Sequence, residues 1–101
     1  MVIYNVTIKV EPAIRTEWLK WLQEEHIPDI LATGCFTNAR VFHLLETEES
    51  DGITYAVQYE ASKKTDYEKY LCEFSTDMRK KATDRWNNHF IAFRSVLELV
   101  H

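Results

Sequence analysis

A chain of 101 residues with 16 acidic and 12 basic side chains, a net charge of -4 and 13% aromatic residues has the apolar material for one packed domain. It lacks the concentrated positive charge that a nucleic-acid or anionic-membrane partner requires. A single domain of this size buries only about 60 to 65% of its unfolded surface, so a homodimer is expected.

The chain opens on MVIYNVTIKV, in which Val2, Tyr4, Val6, Ile8 and Val10 alternate with Ile3, Asn5, Thr7 and Lys9, the period-two pattern of a half-buried strand. The opening has no basic n-region followed by an apolar run, and no later stretch approaches the ~20 apolar residues of a membrane span. A cytoplasmic location is therefore expected, with Cys35 and Cys72 as reduced thiols rather than a disulfide. From Glu17 to Phe36 an amphipathic helix carries Trp18, Leu22 and His26 at i, i+4 and i+8, with Trp21 on the flank. Pro28 predicts a kink that drives Ile27 from helical angles and makes Pro28 the first residue of a second, short helix, which Gly34 ends.

Phe36 to Glu46 reads as the second strand, ETEESDG as an acidic turn with an Asp51-Gly52 hairpin signal, and Ile53 to Ala61 as the third strand, antiparallel to the second. Thr65-Asp66-Tyr67-Glu68 predicts a capping box opening a helix whose apolar positions are Tyr67, Leu71, Phe74, Met78, Ala82 and Trp86, with a break at Ser75-Thr76-Asp77. Asn87-Asn88 stops it, and Phe90 to Val100 alternates as the last strand.

The order β-α-β-β-α-β closes into a ferredoxin-like α+β domain spanning residues 1-101, a four-stranded antiparallel sheet with both helices on one face. With Val6, Ile8, Val41, Val57 and Phe93 under the helices, the opposite face carries Asn5, Thr7, Lys9, Asn38, Arg40, Gln58, Glu60, Arg94 and Glu98, interrupted by Phe42, Leu44, Ala92 and Val96. Two such faces meeting would enclose a polar, ligand-sized space.

IYNVT at the start, EWLKW, EEHIPDILATG followed by Phe36, TYAVQY and the AFR of the last strand resemble a small bacterial family of unknown function over essentially the whole chain. The resemblance implies a dimeric α+β barrel, the fold of antibiotic-biosynthesis monooxygenase-like and muconolactone-isomerase-like proteins, and brings no established catalytic residues with it.

Two groups of residues could carry chemistry. His26, beside Glu24 and Glu25 at a helix end, could serve as a general acid or base. The competing structural role is favoured, because Trp18 and Leu22 lie below it on the buried face; that role requires a packed ring with both nitrogens matched. Asn5, Asn38, Arg40, Gln58 and Arg94 could hold a small polar or anionic ligand between facing sheets, or the arginines could pair with Glu60 and Glu98 of a second copy. Tyr55 and Tyr59, and the aromatic set Trp18, Trp21, Phe74 and Trp86, read as core, and Arg79-Lys80-Lys81 as a solvated helix face. No metal or cofactor is expected, since His26, Cys35, His43, Cys72 and His89 lack ligand-pair spacing and no Gly-rich phosphate loop occurs. The function expected is binding of a small polar or anionic molecule, with a cofactor-free oxygenase or isomerase using His26 as the alternative.

Overall fold

A computed structural model describes residues Met1–His101. β1 (Val2–Val10), β2 (Asn38–His43), β3 (Ile53–Ala61) and β4 (Phe90–Glu98) form an antiparallel sheet in the order β2-β3-β1-β4, the ferredoxin-like arrangement. The alternation of β1 and β3 is realised residue by residue: Val2, Tyr4, Val6, Ile8 and Val10 are buried with Ile53, Tyr55, Val57, Tyr59 and Ala61. They meet Trp18, Leu22, Ile30, Tyr70, Met78 and Trp86 of the helices in one core cluster. Tyr59 is pressed so far into this cluster that its phenol is held well above its ordinary pKa by burial.

The first helical segment runs on without a stop where it was expected to end or bend and restart at Pro28. After a 3-10 turn at Pro12–Ile14, α1 (Arg15–Trp21) passes through a π-helical turn (Leu22–His26) into α2 (Ile27–Leu31). Ile27 keeps helical angles, φ -60 and ψ -48, and its amide donates to the Leu22 carbonyl five residues back. The wider π turn alters the hydrogen-bond register just ahead of Pro28, which has no N–H to donate, so the helix bulges instead of ending. Gly34 has φ +79, the left-handed conformation expected of the stop.

The second helical region divides as expected, into α3 (Lys64–Glu73) and α4 (Ser75–Trp86), with Phe74 between them at φ -127. Ser75 is buried and donates its hydroxyl to the Leu71 carbonyl at 2.7 Å. The capping box does not form: α3 begins at Lys64, before Thr65, and no side chain caps it. Asn87 ends α4 at φ 56.

β2 is shorter than the Phe36 to Glu46 predicted, and Asp51-Gly52 is not a two-residue hairpin turn. The Leu44 amide still bonds the Thr54 carbonyl at 2.9 Å, so the connection begins after it and Asp51-Gly52 is only its last part. Gly52 is needed for a different reason. A Cβ there would stand 2.9 Å from Lys9 Cγ and Cε and 3.1 Å from the Val10 carbonyl oxygen, because the loop crosses the end of β1 closely.

The phase of β4 is opposite to expectation. Val6 stands opposite Arg94 and Thr7 opposite Phe93, so Phe90, Ala92, Arg94, Val96 and Glu98 share the helix side while Ile91, Phe93, Ser95 and Leu97 lie on the open face. Hydrophobic alternation points the other way, since the more apolar set is the outward one. Pairing with β1 decides, because a one-residue slip would forfeit the whole β1–β4 register.

Candidate functional site

The reversal of β4 moves the candidate site. Between α1–α2 and α4, over β1, β3 and β4, lies a cleft with about 50 Å³ open to the centres of water molecules and about 510 Å³ of atom-free space when its mouth is included. Tyr4, Val6, Tyr59 and Ala92 belong to its floor, and Trp21, His26, Tyr70, Met78 and Ala82 to its walls. Arg94 reaches this cleft from β4 and Arg79 from α4.

The π turn carries His26 to this wall, and its ring stacks on Trp21 with centroids 4.4 Å apart and planes 19° apart. Trp21 in turn meets Trp86 edge-on at 5.9 Å. His26 Nδ1 is buried without a hydrogen-bond partner, and so is Trp86 Nε1. This corrects the expectation that a packed His26 has both nitrogens matched: the ring is packed, but one nitrogen is left free beside a cleft. An unmade buried hydrogen bond costs about 1 to 3 kcal/mol. Burial removes the hydration of an imidazolium, so the His26 pKa is pushed down to about 4; Asp29 opposes the shift while Lys81 and Arg94 add to it. The ring is therefore neutral near pH 7, with one nitrogen an N–H donor and the other an acceptor.

Four of the five residues expected to form a polar ligand site share the open face, and Arg94 does not. Arg40, Gln58, Asn5 and Ser95 stand side by side across β2, β3, β1 and β4. Asn5 donates to Thr7 at 3.1 Å and to Ser95 at 3.3 Å, and Asn38, next on that face, donates to Glu60 at 3.0 Å, whereas the Arg40 and Gln58 side chains make no such bond. Arg94, Glu98, Ala92 and Val96 were all assigned to this face and lie on the other, while Leu44 lies beyond β2. The apolar residues that interrupt the polar face are Ile3, Phe42, Ile91, Phe93 and Leu97, with Phe93 69% exposed.

Tyr55 and Tyr59 are core residues as read from the sequence; Trp18 stacks on Tyr55 at 5.5 Å and the Arg15 guanidinium donates to the Tyr55 hydroxyl at 2.6 Å. Trp21, counted with the core, is half-buried and walls the cleft. Sequence reasoning passed over Tyr70 and assigned Arg79 to a solvated helix face, whereas both line the cleft. Tyr70 sits three residues after Tyr67 and four before Phe74, on the helical stripe itself, and is 2% exposed. Arg79 adjoins the buried Met78, which marks it as the member of the basic run beside the apolar stripe. No group of three or more His, Cys, Asp or Glu side chains is placed to hold a metal ion, and no helix is long and apolar enough to cross a membrane.

The architecture recurs in solved structures of low sequence identity. An ethyl tert-butyl ether (EthD) family protein from Bacillus halodurans has a TM-score of 0.67 at 11% identity, covering 99% of this chain and 100% of its own. A dimeric ferredoxin-like protein from an uncultured marine organism gives 0.65 at 14% identity, covering 100% and 96%. A de novo designed protein with a ferredoxin fold gives 0.52 at 15% identity, covering 100% and 89%. No curated protein matches in sequence. The likeness to these structures is one of fold, whereas the sequence itself, with the profile described as "Domain of unknown function (DUF4286)" matching residues 1–100, belongs to that family.

Proposed function

We propose that this chain is a single-domain, cytoplasmic, homodimeric α+β barrel protein that binds a small, largely apolar molecule in the cleft between its helices and sheet. The observation that carries this reading is the free Nδ1 of His26 beside a cleft with mostly apolar walls. Buried polar atoms are almost always paired, and a ligand group or an ordered water is the natural partner for one at a cavity wall. The cleft is preferred to the space between facing sheets because Asn5 and Asn38 already bond within the open face. Self-association is supported by the outward stripe Ile91, Phe93 and Leu97, which is more apolar than the inward residues of the same strand and needs a cover. The marine ferredoxin-like neighbour is itself described as dimeric.

The test is a titration with uncharged single-ring probes such as p-cresol, read by the indole N–H resonances of Trp21 and Trp86. Shifts should appear in these signals and vanish in Ala82→Phe, where a ring fills the cleft. Shifts that persist in that variant, or none with any probe at millimolar concentration, overturn the reading.

A second reading follows from the same imidazole. A neutral histidine with an unpaired nitrogen beside the cleft is equipped to take a proton from an enolisable or weakly acidic substrate, as a cofactor-free isomerase or oxygenase would require. Exchange of an acidic C–H for deuterium, catalysed by the protein and lost in His26→Gln while binding persists, would favour turnover over simple binding.

A further inference from the structure

Every lysine of the α4 basic run has an acidic partner, and the arginine does not. Lys80 pairs with Asp84 at 2.6 Å and Lys81 with Asp29 at 3.4 Å, whereas Arg79 makes no ion pair. Arg94 makes none either, although acidic residues outnumber basic ones 16 to 12. Both residues line the cleft, Arg79 from its α4 wall and Arg94 from its β4 floor. Both act electrostatically on the phenol of Tyr70, which lines the same cleft. The remaining surroundings are apolar and largely aromatic, with Trp21, Tyr4, Tyr59, Tyr70 and Phe90 among them.

We infer that the cleft takes a small aromatic carboxylate, its ring against the aromatic walls and its carboxylate held by Arg79 and Arg94. A planar guanidinium presents a donor fork matched to a carboxylate, and an apolar cleft strengthens that attraction while penalising a divalent, heavily hydrated anion. The enclosed part takes only about three to five water-sized groups at roughly 10 to 15 Å³ each, so a ring must also use the open mouth of the cleft. This inference rests on the cleft being a ligand site and adds the chemical class of the ligand.

Benzoate and benzamide, equal in shape and different in charge, separate the two levels. With the full-length protein followed by NMR titration, benzoate is expected to bind about tenfold more tightly than benzamide, a preference that weakens with added salt. Arg79→Met and Arg94→Met should each reduce the preference, and the double variant should abolish it, with the larger loss falling on benzoate. Both side chains are exposed, so the variants should melt with the parent. Arg94→Lys should restore the charge but only part of the preference. Equal affinity for the two probes, or a preference that survives the double variant, overturns the inference and leaves the cleft standing. Failure of both probes and of p-cresol brings down the cleft reading itself.

Discussion

At the scale of single residues, His26 works against stability with a packed ring and an unpaired buried nitrogen. Its folded pKa of about 4 lies below the ordinary 6.5, so between these values the unfolded chain binds the extra proton and stability falls as pH drops through that window. Near pH 7 the term is fully present; its loss by pH 4 amounts to at most about 3 kcal/mol. Asp29, Lys81 and Arg94 are the charged groups that act on the ring, and their opposing signs leave burial in control. Urea unfolding at pH 7 and pH 4.5 should show a steeper loss for the parent than for His26→Gln; parallel losses would mean that the ring is well hydrated. Gly34 poses a simpler case, because a Cβ there meets nothing within 4 Å and only the backbone at φ +79 objects. Gly34→Ala should cost about 1 kcal/mol, read as a lowered melting temperature.

At the scale of elements, two irregularities shape the helical layer. The π turn over Leu22–His26 accommodates Pro28 and brings His26 to the cleft wall. The bend at Phe74 is sealed by the Ser75 hydroxyl on the Leu71 carbonyl. Ser75→Ala should destabilise the fold by about 1 kcal/mol, the net worth of a neutral hydrogen bond of this kind. Thermal unfolding checks this, and an unchanged midpoint would assign the bend to packing around Phe74 alone.

At the scale of the whole molecule, the proposed self-association rests on the open face. Phe93 contributes to no part of the core beneath the helices, being 69% exposed and opposite Thr7 on the far side of the sheet. Phe93→Glu should therefore leave the protomer folded and turn the proposed dimer into a monomer in sedimentation, because it sets a charge among the outward apolar residues Ile91, Phe93 and Leu97. A variant that stays dimeric would move the interface elsewhere. Cleft binding should survive the change, since the cleft is built from the helix side of one protomer.

What the amino-acid sequence determined by itself was whatever rests on local pattern: the β-α-β-β-α-β order, the alternation of β1 and β3, the stop at Gly34, the break before Ser75 and the end at Asn87. Each follows from backbone preference and side-chain periodicity within a few residues. Tertiary structure decided the rest. β4 carries apolar residues on both faces, and only its ladder with β1 selects the one that meets the helices; that choice moved Arg94 from the open face to the cleft. The helix could bulge at Pro28 instead of breaking because Trp18, Leu22 and Ile30 are all held in one core on either side of it. His26, Trp21, Arg79 and Arg94 are spread along the sequence, and they line one cleft because antiparallel pairing lays β4 beside β1 beneath α4.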